Sequence, residues 1–447
     1  MASHLPPPRS ASVMDRRLFL GTFGYPAAAA VLGVSLPSFG RSAAEIAREL
    51  SSYAGGPDAA ATDEAYWGQV GQAFTLDRSM VNLNNGGVSP SPAFVQEAMK
   101  RQLDYSNSAP PPHALWRVLE PQKEGVRARL AKQWGVSAEE IAITRNSSES
   151  LQICQLGIDL NPGDEILCCT QDYPRMRTTF QQRARREGVV VREVQVPVPA
   201  ENDAAVLELY RQAISPRTRL MLVSHMVNIT GQILPVRDMV SLARKRGIPV
   251  IVDGAHALGH FDFKLSDLEC DYYGVSLHKW LFAPHGTGML YVRRDKIKGL
   301  WPMQAAEEKL DDDIRKFEEI GTHPAANFLA IGEALTFNQA IGFDRKEARL
   351  RYLRDWWAKR LARHDRVRLH TSLDRRFSCG IATAQVEGID SLELAGWLWD
   401  KHRILVVAIK HPEFQGIRVT PSVYTTLEEL DRFCSAMEVV IRNGLPS

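Results

Sequence analysis

From Ile141 onward, short runs of apolar and β-branched residues alternate with longer stretches whose apolar positions recur at helical spacing. Apolar runs of about four to eight residues read as buried strands, and longer periodic stretches as the helices that cover them. The pattern predicts strands at Ile141–Thr144, Glu165–Cys169, Val189–Val196, Arg219–Ser224, Pro249–Val252, Tyr272–Val275 and Gly288–Val292. Between them it predicts helices from about Ser148, over Pro174–Glu187, over Asp203–Ala213 and over Val236–Arg246. Strands alternating with helices in this way form βαβ units and a mostly parallel sheet. Asn161-Pro162-Gly163-Asp164 marks a turn directly before one strand.

Beyond about residue 325 the pattern changes. A long helix rich in Arg, Lys and Trp spans Asp344–Ala362, followed by strands near Val367–Leu369 and Ser378–Gln385. A helix near Ser391–Lys401, strands at Ile404–Ala408 and Gly416–Val419, and a helix over Thr426–Ile441 complete the chain. Thr425-Thr426 with Glu428 and Glu429 caps that last helix. The expected organisation is an N-terminal helical segment (45–80), a large α/β domain (81–325) and a smaller α+β domain (326–447). The segment over 45–78 reads as one or two helices, broken at Gly55-Gly56-Pro57-Asp58.

Composition narrows the function. The chain has 447 residues, more than one core usually organises. Its 54 Lys+Arg against 52 Asp+Glu leave a net charge of +2, without the basic excess of a dedicated nucleic-acid binder. The cysteines Cys154, Cys168, Cys169, Cys270, Cys379 and Cys434 form no CxxC pair and sit mostly in apolar runs, as buried small hydrophobes do. No zinc site is expected from them. Adjacent Cys168 and Cys169 would point to opposite faces of a strand.

The front of the chain differs from the rest. Met14-Asp15-Arg16-Arg17-Leu18-Phe19-Leu20 opens an apolar stretch that runs to Leu36. A basic start, an apolar run and small residues after it describe a signal peptide. Paired Arg16-Arg17 before Leu-Phe-Leu resembles a twin-arginine export signal. Ser42-Ala43-Ala44 supplies a cleavage site, which implies export machinery as a partner, a mature chain from about Glu45 and a periplasmic or exported product. The alternatives are an uncleaved anchor and a cytoplasmic extension.

Three polar groups of residues stand where predicted strands end, the place where ligands bind in doubly wound sheets. Asp253 follows Ile251-Val252 and precedes Gly254-Ala255-His256; Lys279 follows Tyr272–His278; Arg145-Asn146-Ser147-Ser148-Glu149 opens a helix. A lysine in apolar surroundings has its pKa lowered and serves as a Schiff-base amine. An aspartate keeps a pyridine nitrogen protonated, and helix-start amides with hydroxyls bind phosphate. Together they point to pyridoxal 5′-phosphate. Singly, each has a plain alternative: Asp253 as a capping carboxylate, Lys279 as a surface lysine, Ser147-Ser148 as a helix cap.

These stretches resemble the class V aminotransferase group, fold type I pyridoxal-phosphate enzymes, in the isopenicillin N epimerase-like and cysteine desulfurase-like branch. The likeness covers Val81 to about Val440. Its further carriers are Asn82-Leu83-Asn84-Asn85-Gly86-Gly87-Val88-Ser89-Pro90, Phe317-Glu318-Glu319-Ile320-Gly321-Thr322 and Gly416-Ile417-Arg418-Val419. The resemblance implies that Lys279 holds the cofactor and then acts as acid and base at the substrate Cα. It places Asp253 on the ring nitrogen, Tyr173 on the ring face, His256 beside Asp253 or the ring, and Asn228 on the 3′ oxygen. Ser147, Ser148, Ser276 and His278 fall at phosphate-side positions. Thr322 matches a phosphate contact from a neighbouring subunit, which implies a homodimer. Arg418 matches the clamp on the substrate carboxylate, and Asn85 falls on the substrate side. Tyr173 as a core aromatic and His256 as a simple partner of Asp253 are the plain alternatives.

The reaction rests on outer residues. The stretch Val406–Phe414, where desulfurases carry a nucleophilic cysteine, has none. The motif style most resembles the epimerase-like branch, acting at Cα of an amino acid or an amino-acid-containing metabolite. A C–S or β-lyase and aminotransferase-type tailoring of a secreted peptide or siderophore are the rivals, with a non-catalytic scaffold as the remaining reading.

Overall fold

The structure is a computed structural model that describes residues 43–446. Arg16-Arg17 and the apolar run behind them lie outside the described residues. The described chain begins with three short helices, Ala43–Ser51 (α1), Pro57–Ala61 (α2) and Glu64–Gly71 (α3). There are three rather than one or two because Pro57 starts α2 and the Asp63 side chain accepts from the Tyr66 amide to start α3. The cleavage point expected after Ala44 falls in the first turn of α1. Among the described residues no helix is long and apolar enough to cross a membrane.

A two-residue strand, Val81–Asn82 (β1), leads into the helices Ala93–Ser108 (α4) and Lys123–Trp134 (α5). Seven strands follow: Ile141–Thr144 (β2), Glu165–Cys169 (β3), Val190–Val194 (β4), Thr218–Ser224 (β5), Val250–Asp253 (β6), Tyr272–Ser276 (β7) and Gly288–Val292 (β8). They form one sheet in the order β2-β8-β7-β6-β5-β3-β4. Within this sheet β8 runs antiparallel to the other six strands. It follows β7 through a tight return that contains no crossover helix, and a parallel neighbour requires such a crossover. Crossovers elsewhere are Ser147–Gly157 (α6), Pro174–Glu187 (α7), Asp203–Ala213 (α8) and Val236–Arg244 (α9).

Strand alternation sorts the core. Ile143, Leu167, Cys169, Val223, Val252 and Tyr273 join one buried cluster. Their neighbours Ala142, Ile166, Cys168, Leu222, Ile251 and Tyr272 join another on the opposite face. Cys168 and Cys169 are thus divided between the two, and all six cysteines are free and buried.

The C-terminal third opens with Ile331–Ile341 (α10) and Phe343–Leu361 (α11). Its strands are Val367–Leu369 (β9), Ala382–Val386 (β10), Ile404–Leu405 (β11), Val407–His411 (β12) and Phe414–Val419 (β13), with helices Ser391–His402 (α12) and Leu427–Asn443 (α13). An antiparallel sheet takes the order β12-β13-β10-β9. The single strand expected over Ile404–Ala408 is two, because the chain changes partners at Val406. β11 pairs parallel with β1, and β12 pairs with β13. The strand expected from Ser378 begins at Ala382 instead. Ser378 is occupied outside any ladder, donating to the Ser372 carbonyl and accepting from Arg354. The Thr426–Glu429 capping box of α13 forms as its sequence indicates. A third buried cluster lies here, and α11 spans two clusters, with Leu350 in the core of the large sheet and Leu353, Trp357 and Leu361 in this one.

Candidate active site

The carboxyl ends of the parallel strands converge on one cavity of about 230 Å³. Ser224 ends β5, Asp253 ends β6 and Ser276 ends β7. Tyr173 stands at the start of α7 and Ser147 at the start of α6. The wall includes Ser147, Ser148, Tyr173, Asn228, Asp253, His256, Ser276, His278 and Lys279, all singled out from sequence. Asn85, Thr322 and Arg418 are not part of it.

Lys279 sits in the cavity wall with its Nζ 3.0 Å from His256 Nε2. Burial pushes the lysine down to about 8; the carboxylate of Asp253 opposes this and the Arg418 cation adds to it. Burial, aided by the positive charge of Lys279, likewise holds His256 far below the ordinary histidine range, so its ring is neutral. The indole N–H of Trp280 points at His256 Nδ1 at 3.5 Å. An indole only donates, so Nδ1 accepts and the ring proton resides on Nε2. Above about pH 8, where the Lys279 amine loses its proton, His256 can donate to it through Nε2.

Asp253 is buried, which raises its pKa against the opposing effects of the Ala255 amide and Lys279. One carboxylate oxygen accepts from that amide at 3.0 Å. The other has no hydrogen-bond partner among the described residues, leaving an acceptor for a ring N–H. Gly254 allows the close packing behind it: a Cβ there would lie 2.0 Å from the Tyr273 ring. His225, held by burial at about 3 and so neutral, meets the Tyr273 hydroxyl at 3.0 Å.

At the other end of the cavity, α6 presents its first turn. Asn146 caps it through the Glu149 amide at 2.9 Å. The Ser276 hydroxyl accepts from the Ser147 amide and donates to the Ser147 hydroxyl, each at 2.9 Å. The Ser148 amide precedes the first intrahelical donor, so it and its hydroxyl remain open to the cavity. This is an anion site of the helix-start kind. His278 completes the wall with Nδ1 on the Thr287 carbonyl at 3.0 Å; burial, and then Lys279, lower it to about 4.

Arg418 lies one layer back. It donates to the Asn228 carbonyl at 3.0 Å and to Asn84 Oδ1 at 2.9 Å, while its Nε has no partner among the described residues. Asn85, expected on the substrate side, has its side chain engaged within the protein, donating to the Asn82 and Thr420 carbonyls and accepting from the Asn82 amide and the Tyr424 hydroxyl. Asn84, not singled out from sequence, is the residue that holds Arg418. Thr322 is exposed, in a segment anchored by Glu318 to Arg127, Lys123 and the Ile143 amide. Tyr173 is 40% exposed on the wall. Sequence reasoning also missed Trp280; its position next to Lys279 was the available signal.

The Aminotransferase class-V family model matches residues 81–433. Isopenicillin N epimerase of Amycolatopsis lactamdurans is 32% identical over 83% of this chain and 98% of its own length. A probable cysteine desulfurase of Vibrio cholerae is 26% identical over 83% of this chain and 96% of its own. The apo structure of a cysteine desulfurase from Thermococcus onnurineus shares the fold, with a TM-score of 0.74 at 24% identity, covering 84% of this chain and 97% of the other.

The electrostatic arrangement sets a testable titration. In cofactor-free protein the Lys279 amine should acylate with a half-maximal rate near pH 8, read by peptide mass mapping, rather than near the ordinary 10.5. Asp253→Asn should move that midpoint down and Arg418→Met should move it up. A midpoint near 10.5 would remove the desolvated amine.

Proposed function

The chain belongs to the class V aminotransferase family and is a pyridoxal 5′-phosphate-dependent enzyme; from that premise we propose that it acts as an epimerase, removing and returning the Cα proton of an amino acid or an amino-acid-containing metabolite. The observation that carries this reading is the buried Lys279 amine, lowered to about 8 and set 3.0 Å from His256 Nε2 beside the buried Asp253. The donor set fits the cofactor. Asp253 offers its unpartnered oxygen to the ring nitrogen, Ser147, Ser148, Ser276 and His278 line a phosphate site, and Tyr173 supplies an aromatic wall. When bound, pyridoxal phosphate supplies the electron sink that lets a Cα–H bond ionise.

The protein's own groups do the rest. Lys279 takes the proton on its lone pair, and His256 steadies that amine through Nε2. Arg418, the residue expected to clamp a substrate carboxylate, is engaged by the Asn228 carbonyl and Asn84 one layer behind the wall, and from there its charge lowers Lys279. Return of the proton to the opposite face is assigned to Tyr173, the one phenol on the cavity wall. The likeness to isopenicillin N epimerase supports the epimerase reading. Persulfide chemistry is disfavoured, because burial pushes Cys169, Cys379 and Cys434 up to about 12 and the other three also upward. The stretch expected to carry a desulfurase cysteine is β12 and the start of β13.

Incubation with a panel of L-amino acids in deuterated water, followed by chiral and mass analysis, tests the reaction. Deuterium at Cα with inversion is expected. Lys279→Ala should abolish the exchange, and Tyr173→Phe should keep exchange while losing inversion. Pyruvate or sulfur release, or an oxo-acid product, would replace this reading with a lyase or an aminotransferase.

A homodimer belongs to the proposal. The exposed Thr322, together with the exposed Leu103, Tyr105 and Trp116 on and just after α4, supports it, since apolar surface of this kind favours an interface. Sedimentation should give twice the chain mass, and a one-chain mass would remove this part. Export is proposed from Arg16-Arg17 and the following apolar run. Its test is the mature N-terminus of exported protein, expected near Glu45. Retention in the cytoplasm with an intact leader would refute it.

A further inference from the structure

Lys346 is a buried lysine with no carboxylate in ion-pair distance among the described residues. Its Nζ donates to the backbone carbonyl of Trp280 and, at 2.7 Å, to Asn338 Oδ1. It also stands 3.8 Å from the centre of the Phe282 ring. Asn338, on α10, turns its amide to the Leu281 carbonyl at 2.8 Å. Two neighbouring helices thus hold the two carbonyls that follow Lys279. The turn they hold is under constraint: Phe282 has a φ of +61°, a value that side-chain-bearing residues rarely take.

The opposite side of the same peptide is equally close. Gly259, at a φ of +77°, faces the Trp280–Leu281 peptide, and a Cβ there would lie 3.1 Å from the Trp280 carbonyl carbon. The indole of Trp280 stacks on His260 at 3.6 Å while it donates to His256. His260 is fixed in turn, accepting from the Gly380 amide at 2.9 Å and donating to the His256 carbonyl at 2.8 Å. A methionine would fill the space of the Lys346 stem without the cost of burying an amine. What the lysine adds is a donor at its tip.

We propose that Lys346, together with Asn338, is a positioning residue for the reactive lysine. By holding the Trp280 and Leu281 carbonyls it fixes the turn that starts at Lys279 and keeps the Trp280 indole against His256. This rests on Lys279 being the cofactor-bearing amine, and it is independent of which reaction follows. Lys346 touches neither the cavity nor Lys279, so it acts through the backbone alone.

The test uses holoenzyme and cofactor-free protein of Lys346→Met, with Leu361→Ala, a cavity at the far end of α11, as a stability-only control. The readouts are the pH midpoint of the visible band of bound cofactor and the rate of pyridoxal phosphate uptake by cofactor-free protein. Asp253, Arg418, His256 and His278 are the titratable and charged groups that face Lys279, and Cys379 and His260 are those that interact with Lys346. None of them is altered by these substitutions. Lys346→Met is expected to shift the midpoint by about one pH unit and to slow uptake by about tenfold. Leu361→Ala should lower thermal stability while leaving both readouts in place. A wild-type midpoint and uptake rate in Lys346→Met would overturn the proposal, as would equal shifts in Leu361→Ala. If Lys346→Met does not fold, Asn338→Ser takes its place under the same criteria. The acylation midpoint of Lys279 in cofactor-free protein is read in the same variants, so that absence of the band from the wild-type protein would count against the cofactor, while a wild-type acylation midpoint in Lys346→Met would still overturn the proposal.

Discussion

A primary amine that must be neutral near physiological pH has to be taken out of water, and the rest of this site is arranged around that demand. Water stabilises an ammonium strongly, so burial alone moves a lysine downward. Asp253 works against it, because a nearby carboxylate favours the charged form. Arg418 counters the carboxylate from one layer behind the wall. Burial is the largest of the three effects on Lys279, and the outcome is an amine at about 8. The same low-polarity surroundings keep His256 neutral and let a single indole donor choose its tautomer.

The sheet delivers these groups because its parallel strands end together. Asp253 and Ser276 are the last residues of neighbouring strands, and Ser224 closes the next one across. The smaller sheet reaches the same place from the other side through the tip of its β12–β13 hairpin. Glu413 accepts from the Thr170 hydroxyl at 2.5 Å and from the Gln171 amide at 2.9 Å, and His411 meets the Thr170 carbonyl at 3.1 Å. Asp172, raised to about 7 by burial, ties the loop to the large sheet through the Cys169 amide and the Ser224 hydroxyl. The segment that carries Tyr173 is therefore held by both halves of the molecule.

Much of this was legible beforehand where local chemistry and strand order coincide. Asp253, Lys279 and Ser147 each follow an apolar run, and a parallel sheet must bring the ends of such runs together. Helix limits set by Pro174, Asp203 and the Thr426–Glu429 box were equally readable. Residues whose role depends on distant partners were not. Asn84 and Asn85 are neighbours of the same type, and only the register of Asn84 with Thr420 decides which one meets Arg418. Lys346 looks like an ordinary charge on a basic helix until α10 is seen packed beside it. The division of Ile404–Ala408 into two strands depends on β1, far away in the chain.

That pairing of β1 with β11 sets the timetable of assembly. Val81 and Leu83 lie at the very start of the sheet-bearing chain, yet they are buried among Ile404, Ile417 and Val419 near its end. As the polypeptide emerges from the ribosome, its first strand has no partner until almost every later residue has been made. Contacts of such long sequence separation form late, because closing a loop of that size costs entropy before any pairing repays it. The N-terminal strand is thus the keystone of this architecture, and shortening the chain from its far end would leave the opening segment without a seat.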